Sequence, residues 1–220
     1  MANHGKKYLE SKKLIDSSKL YSVAEAVEMV KKTTFTKFVP TVEIAIKTFA
    51  NPKYNDQMIR STTILPHGTG KTKRIAVFSA EDVAGADIVG TETLIADIKA
   101  GKFDFDILIT TPEHIRDLAP IAKQLGPKGL MPSPKAGTVV MNLAQAVEEI
   151  KKGKIEFKLD KTGNIHAPVG KASFDDKQLE ENITSFIKAV EDSRPTGVKG
   201  KLIKKIVLTT SMGPSVQIAQ

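Results

Sequence analysis

Apolar residues recur at every second position in several short segments near both ends of the chain. In Thr41–Thr48 the apolar residues Val42, Ile44 and Ile46 fall on one face, which is typical of a half-buried strand. Other segments repeat apolar positions at helical spacing. By these patterns, strands are predicted at 41–48, 59–65, 154–159, 164–168 and from residue 206 onward, and helices at 22–33 and 175–190.

The middle of the chain follows a different pattern. Runs of consecutive apolar residues alternate there with amphipathic segments. Such an order is typical of a mainly parallel sheet covered by helices. The strands are predicted at 75–78, 88–89 and 107–110, and the helices at 92–99, 113–124 and 143–151.

The two patterns together predict an α/β (α+β) chain with two domains. A discontinuous α+β domain is expected from residues 1–66 plus 154–220, and an inserted Rossmann-like three-layer α/β domain from residues 67–153. Glycines lie close to both junctions, and glycine adopts main-chain conformations that other residues avoid. The candidate hinge residues are Gly68, Gly70 and Gly153.

The net charge also differs between the two chain ends and the middle segment. The 220 residues include 33 basic and 25 acidic side chains, with a net charge of +5 in residues 1–66, +3 in residues 154–220 and zero between them. A basic domain and a neutral one are therefore expected, with nucleic acid or an acidic surface as the partner. A solvated basic surface without a ligand is the alternative.

Composition argues against several kinds of chemistry. Cysteine is absent, which excludes disulfides and thiolate catalysis, and the four histidines lack the spacing of metal ligands. No G-x-S-x-G or H-E-x-x-H motif occurs, so we predict no catalytic residue, metal site or cofactor. The chain has no apolar run of roughly 18 residues and no secretory signal, so a cytoplasmic protein without a membrane partner is expected.

A loop rich in glycine and lysine at 66–73 resembles part of a phosphate-binding loop. Gly70, Lys71 and Thr72 match the end of the G-x-x-x-x-G-K-S/T pattern, but Leu65 stands where its first glycine belongs. An apolar strand follows, instead of the helix whose N-terminus would hold a phosphate. A flexible joint is the preferred interpretation, and a nucleotide-dependent enzyme using residues 68–72 is the alternative function.

The segment 125–137 in the middle of the chain is rich in proline and glycine. Its three prolines and three glycines predict a stiff, exposed loop that is neither a helix nor a central strand. Lys128 and Lys135 lie within it. These lysines could contact phosphates, or they could serve only as solubilising charges.

The segment 206–215 predicts a strand followed by a polar turn. Three hydroxyl side chains at 209–211 precede Gly213, and Lys204 and Lys205 come just before the strand. Hydroxyls, an accessible main chain and lysines suit a ribose–phosphate backbone. A strand end with a turn and no ligand would explain the same residues.

Four motifs extend in order over nearly the whole chain. They are LPHGTGK at 65–71, LGPKGLMPSPKAGT at 125–138, FKLDKTGNIHAPVGK at 157–171 and TSMGP at 210–214. Together they resemble the bacterial form of the ribosomal protein L1 family. The resemblance implies two domains, with both chain ends in one domain and the middle segment in the other.

The resemblance also implies a role and partners. The chain would bind a helical junction of large-subunit (23S-type) ribosomal RNA. It would form the mobile stalk beside the exit site, where deacylated tRNA leaves the ribosome. Many bacterial members also bind their own messenger RNA and repress its translation, so a free-standing repressor is a further hypothesis. A monomer when free and a location on the cytoplasmic ribosome are implied as well.

The resemblance implies RNA-binding residues in the domain built from the two ends. Lys37 would bind phosphate, whereas Thr41 and Ser211 would bond ribose hydroxyls or base edges. Phe38 would offer a flat apolar surface, its alternative being a core position. Glu43 would accept a hydrogen bond from a guanine edge or a ribose hydroxyl. The full set is Lys37, Phe38, Thr41, Glu43, Thr210, Ser211, Met212 and Gly213, with Lys171 and Ser173 as weaker candidates.

The chain departs from the family pattern at a few positions. The segment 78–87 is shorter than usual by about a helix, so one covering helix of the middle domain is expected to be trimmed. Ser61, Lys128 and Ser133 stand where glycine, arginine and asparagine are usual. Lys128 keeps the charge but loses the bidentate geometry of arginine.

Overall fold

The computed structural model describes residues 5–79 and 83–219, which separate into two compact units. Unit 1 comprises the residues up to Gly70 together with those from Ile155 onward, and unit 2 comprises Lys71–Lys154. The predicted junctions lie four residues before the first of these boundaries and one residue before the second. Residues 80–82, inside the segment predicted to be shortened, lie outside the described part of the chain.

The described residues form both helices and strands, which confirms the predicted mixed α/β class. The helices are α1 Lys6–Lys13, α2 Val23–Lys32, α3 Glu92–Lys99, α4 Ala122–Lys128, α5 Leu143–Lys151 and α6 Asp176–Asp192. The strands are β1 Thr41–Thr48, β2 Arg60–Ile64, β3 Ile75–Phe78, β4 Ile88–Val89, β5 Ile107–Thr110, β6 Lys154–Lys158, β7 Asn164–Lys171, β8 Ile203–Thr210 and β9 Val216–Ile218.

Unit 1 is built on an antiparallel sheet with the strand order β7–β1–β8–β9. One face of the sheet packs against α2 and α6 and forms the core. Val42, Ile44 and Ile46 of β1 point into this core and are fully buried, as their alternation predicts. The residues between them belong to the other face, which we call the outer face; the segment 15–17 after α1 lies beside Val207 and Lys205 there.

The two covering helices of unit 1 begin with capping boxes and are joined to each other. In α2 the main-chain N–H of Glu25 donates to the Ser22 hydroxyl, and the Ser22 N–H donates to the Glu25 carboxylate. Ser22 and Glu25 have the S-x-x-E spacing that is typical of such a box. Lys31 near the end of α2 pairs with Asp176 at the start of α6 at 2.5 Å, which links the two helices.

The turn between β6 and β7 is closed by Asp160. Its carboxylate accepts the main-chain N–H groups of Thr162 and Asn164 at 2.8 and 2.7 Å. Burial alone would raise the pKa of Asp160, but the hydrogen bonds from Asn164 and Thr162 outweigh it and lower the pKa to about 2. The ionised carboxylate is therefore part of the turn.

Unit 2 contains a parallel sheet with the strand order β4–β3–β5. Every residue of β3 is buried, as expected for a central parallel strand. Ala76 and Phe78 pack on the side of α3 and α4, whereas Ile75 and Val77 pack on the side of α5. The sheet is thus covered on both faces, giving the three layers expected for this segment.

Two predictions for unit 2 were wrong. The helix predicted over 113–124 is replaced by turns up to Leu118 and a short 3-10 turn at Ala119–Ile121, because Pro120 lacks the N–H that a helix interior requires. The segment 125–137 was predicted to contain no helix, yet α4 extends to Lys128 with Pro127 in its last turn. Its buried residues also contradict the expectation of an exposed loop; they are Leu125, Pro132 and Ala136.

Two short elements escaped the sequence patterns. The lysine-rich segment near the N-terminus forms α1, which buries only Ser11, and β9 is a three-residue edge strand. Among residues 5–79 and 83–219, no helix is both long and apolar enough to cross a membrane.

Candidate nucleic-acid interface

Strand pairing in unit 1 brings three distant segments to one end of the sheet. Thr41 at the start of β1 lies opposite Lys171 at the end of β7, and Val42 lies opposite Thr210 at the end of β8. The candidates at 41–43 that the family resemblance implies thereby lie beside those at 210–211. We call this end of the sheet the strand-end site.

Hydrogen bonds fasten the three segments to one another. The main-chain N–H of Thr41 donates to the Ser211 hydroxyl oxygen at 3.2 Å, and the Ser211 N–H donates to the Thr41 carbonyl at 3.0 Å. The Lys171 ammonium donates to the Thr41 hydroxyl oxygen at 3.3 Å. The N–H of Ala172 donates to the Pro40 carbonyl at 2.9 Å, so the turn that carries Ser173 lies against the same segment.

These bonds leave donors available at the surface. A hydroxyl has one donor and two acceptor positions, and an ammonium group has three donors. The bonds just described use Thr41 and Ser211 hydroxyl oxygens only as acceptors, and Lys171 is only partly exposed with one donor engaged. The strand-end site therefore presents hydroxyl and ammonium donors in a fixed arrangement, which suits phosphate oxygens and ribose hydroxyls.

Large apolar side chains are exposed around these polar groups. Phe38 is 58% exposed, Val39 54% and Met212 73%. The alternative interpretation of Phe38 as a core residue is therefore wrong, and Lys37 beside it is exposed as well. A flat aromatic ring and a flexible thioether next to hydroxyls and cations form a surface on which bases can stack.

The turn after β8 holds Met212 in a rare main-chain conformation. Its φ angle of 67° makes Met212 the one non-glycine residue with positive φ among the described residues. The turn is closed by the Gly213 N–H, which donates to the Thr210 carbonyl at 2.9 Å, and by the Thr209 hydroxyl, which donates to the Gly213 carbonyl at 3.2 Å. Left-handed residues with side chains concentrate at functional sites, where the surrounding structure supports them.

Two expectations about this turn need correction. Thr210 is 2% exposed, because the alternation of β8 directs it inward with Leu208, so its side chain is not available to RNA. Thr209 takes the outward position opposite Glu43, and the alternation of β8 could have identified it. Gly213 has a packing role beyond an accessible main chain, since a Cβ there would lie 2.2 Å from the Thr210 hydroxyl oxygen.

Glu43 projects from the outer face of the sheet, between Pro168 and Thr209 in the strand register. Within residues 5–79 and 83–219, no cation lies within ion-pair distance of its carboxylate. Unit 1 nevertheless carries 21 basic and 14 acidic residues, against 12 and 11 in unit 2. Glu43 is thus a free acceptor on the basic unit.

Comparison with known proteins identifies the family. The model of the Ribosomal protein L1p/L10e family matches residues 30–214. The chain belongs to this family. It is therefore an RNA-binding protein of the large ribosomal subunit, located on the cytoplasmic ribosome, in a family of structural proteins and not of enzymes. The matched range includes every segment of the strand-end site.

The remaining candidates of this L1-family chain belong to unit 2. The Lys128 ammonium lies 3.2 Å from the centroid of the Phe103 ring, which engages part of its charge. Lys135 is exposed in the short turn Pro134–Ala136. Neither residue is one of those that strand pairing assembles at the strand-end site.

The glycines predicted as hinges all adopt positive φ angles, of 65° at Gly68, 69° at Gly70 and 104° at Gly153. The sequence patterns did not identify Asn182, which binds the main chain at Gly68. Asn182 is fully buried and donates to the carbonyls of Gly68 and Val169, while its own carbonyl accepts the His67 N–H. A hinge at these glycines stays a prediction.

The structure also bears on other chemistry. The loop that resembles a phosphate-binding loop is followed by β3 and not by a helix, so the helix N-terminus that would hold a phosphate is missing there. No group of three or more His, Cys, Asp or Glu side chains in the described ranges could hold a metal ion.

Proposed function

We propose that this chain forms the mobile stalk of the large subunit beside the exit site by binding a helical junction of the ribosomal RNA. The observation that carries the proposal is the strand-end site, where hydrogen bonds among Thr41, Lys171 and Ser211 fix donors between exposed Phe38 and Met212. Such a prearranged surface favours tight binding of a folded RNA, because groups that are already ordered lose little entropy on binding.

Each side chain of the strand-end site has a role suited to its chemistry. Lys37 and Lys171 bind phosphates, which supplies affinity and salt dependence. Thr41 and Ser211 donate to ribose 2′-hydroxyls, with Ser173 beside them, and Glu43 accepts from a ribose hydroxyl or a guanine edge. Phe38 and Met212 cover the bases. Contacts to 2′-hydroxyls make the site prefer RNA over DNA of the same sequence.

Two further functions follow from the same site. A structure in the chain's own messenger RNA that resembles the junction would occupy the strand-end site in the same way, so the protein would repress its own translation. On the ribosome, the stalk would assist the release of deacylated tRNA, with Lys135 and Lys128 as candidate tRNA contacts. The protein is a monomer when free.

Filter binding with an RNA fragment of the stalk junction tests the proposal. Phe38→Ala and Met212→Asp are expected to weaken binding, about 5- to 100-fold for the loss of a stacked base on Phe38. Lys135→Ala serves as the control and should leave the affinity within twofold of the parent chain. Equal losses in all three variants would mean that the site has been assigned to the wrong unit.

The repressor role needs a separate measurement. In a cell-free translation system, added protein is expected to reduce synthesis from a message that carries the chain's own leader, and Met212→Asp is expected to lose the effect. Excess stalk RNA should relieve repression by competition. If the leader makes no difference while stalk RNA still binds, the repressor role is wrong and the ribosomal role stands.

A further inference from the structure

A β-bulge lies in β8 at the far end of β1 from the strand-end site. Lys47 is opposite Lys205, but the next residue of β1, Thr48, is opposite Ile203, so Lys204 has no partner in β1. The extra residue breaks the alternation of the strand, and Lys204 and Lys205 are both exposed. Bulges redirect side chains, and this one directs two consecutive lysines to the solvent.

An exposed aromatic ring lies beside these lysines. Phe49 follows β1 and continues the outward parity of that strand, and it is 56% exposed. Its N–H donates to the Leu202 carbonyl at 2.9 Å, which fixes its main chain against the start of β8. The Lys204 ammonium lies 5.5 Å from the centroid of its ring. We call Lys47, Phe49, Lys204 and Lys205 the bulge platform.

The bulge platform has a cationic surface, and Asp16, which lines a pocket together with Lys205, lies beyond ion-pair distance of it. The Lys47 ammonium donates to the Thr162 carbonyl at 2.6 Å, a neutral partner that leaves its charge unpaired. The acidic group of the adjoining β6–β7 turn is Asp160, whose carboxylate is engaged by Thr162 and Asn164. In the described ranges neither Lys204 nor Lys205 has a carboxylate within ion-pair distance.

The outer face of the sheet connects the two ends. Six residues separate Thr41 from Lys47, or about 20 Å at ~3.4 Å per residue. Two outward rows lie between them: Pro168, Glu43 and Thr209 nearer Thr41, and His166, Ala45 and Val207 nearer Lys47. Glu43 is the one acidic group in these two rows, and about six stacked nucleotides at ~3.4 Å each would span the same distance.

We propose that the bulge platform is a second RNA contact, which receives an unpaired nucleotide on the exposed ring of Phe49 and its neighbouring phosphates on Lys204 and Lys205. Lysines beside an exposed aromatic ring are typical of surfaces that bind single-stranded nucleic acid. Lysine is depleted from protein interfaces, which disfavours a protein partner. The inference rests on the proposed function, since the RNA would be the flank of the same stalk junction.

Binding of the whole chain to two probes tests the platform. The first is the stalk junction with and without an unpaired flank, and the second is an oligouridylate of about 12 nucleotides. Phe49→Leu is expected to weaken binding to the oligouridylate and to the flanked junction about 5- to 100-fold, and to leave the trimmed junction unchanged. Phe49→Tyr, which keeps the ring, should restore binding.

Lysine variants give an independent measure. Changing both Lys204 and Lys205 to alanine should reduce the slope of log affinity against log salt by about 1.4 for the single-stranded probe. Lys188→Ala is the matched control, because Lys188 is exposed on α6, on the opposite face of the sheet. Urea denaturation of each variant verifies that the fold is retained, as expected for side chains that are mostly exposed.

The outcomes separate the platform from the proposed function. If Phe38→Ala weakens junction binding while Phe49→Leu affects neither probe, the platform is wrong and the proposed function stands. If Phe49→Leu weakens binding to the oligouridylate and to the flanked junction while Phe38→Ala has no effect on either, the platform stands and the strand-end site is wrong. An equal loss for Lys188→Ala would show a diffuse charge effect and overturn the platform.

Discussion

Met212 allows the main-chain strain and the RNA contact at the strand-end site to be measured separately. Its φ angle is 67°, and its side chain is 73% exposed. Met212→Ala and Met212→Gly both remove the side chain, but only glycine relieves the left-handed conformation. The two variants are therefore expected to lose RNA affinity to the same extent and to differ in stability.

The structure sets the size of the stability difference. A residue with a side chain pays about 1–2 kcal/mol in the left-handed region. Glycine loses about 0.5–1 kcal/mol relative to alanine through the greater freedom of the unfolded chain. The difference between these ranges makes Met212→Gly more stable than Met212→Ala by up to about 1.5 kcal/mol, with a midpoint of roughly 0.75 kcal/mol. Both variants lose the thioether, and this loss changes the two unfolding free energies equally because the Met212 side chain is mostly exposed to solvent.

Urea denaturation followed by circular dichroism gives the free energies of unfolding, and filter binding with the stalk RNA fragment gives the affinities. If Met212→Ala is as stable as Met212→Gly, the turn relaxes out of the left-handed conformation and the strain argument fails. If either variant binds RNA as tightly as the parent chain, Met212 does not contact the RNA.

Three further predictions concern other residues. Gly213→Ala should destabilise the protein by about 1–3 kcal/mol in urea denaturation, because its Cβ would clash with the Thr210 hydroxyl. In a Thr210→Ala background the same substitution should cost at least about 1 kcal/mol less. An equal loss of unfolding free energy in both backgrounds would exclude the clash. Lys37→Ala should reduce the salt slope of RNA binding by about 0.9, and Lys135→Ala should not; equal slopes would remove Lys37 from the site. The pKa of Asp160 is about 2 in the folded protein, below its usual 3.8. The ionised carboxylate therefore stabilises the fold fully above about pH 4, and this stabilisation is lost as the pH falls through 2. A difference in unfolding free energy between Asp160→Asn and the parent chain that does not change with pH would contradict this.

Local patterns predicted most individual elements, because their causes are local. The alternation in Thr41–Thr48 and the helical spacing in Glu92–Lys99 matched the observed bounds, since burial of one face decides both. The pattern failed where a proline interrupts a helix, as at Pro120. It also failed where a short segment forms a strand only by pairing with a neighbouring strand, as in Val216–Ile218.

The strand-end site was predictable only in part. The family resemblance named its segments, and the alternation of β8 would have placed Thr210 inside and Thr209 outside. No local pattern contains the register that sets Thr41 beside Ser211, because the pairing joins residues 170 positions apart. The bulge at Lys204 depends on the same register, so two consecutive lysines in the sequence gave no indication of it.

The pairing of β1 with β7 and β8 has a consequence for synthesis. Chains emerge from the ribosome N-terminus first, and domains fold as units. Thr41–Thr48 leaves early, yet both of its partner strands follow only after the whole of unit 2. A nascent or prematurely terminated chain that stops before Ser211 lacks the group that accepts the Thr41 N–H and closes the strand-end site. Unit 2 can fold before β1 finds its partners, and the proposed RNA site would be complete only after β8 and the turn that follows it have been made.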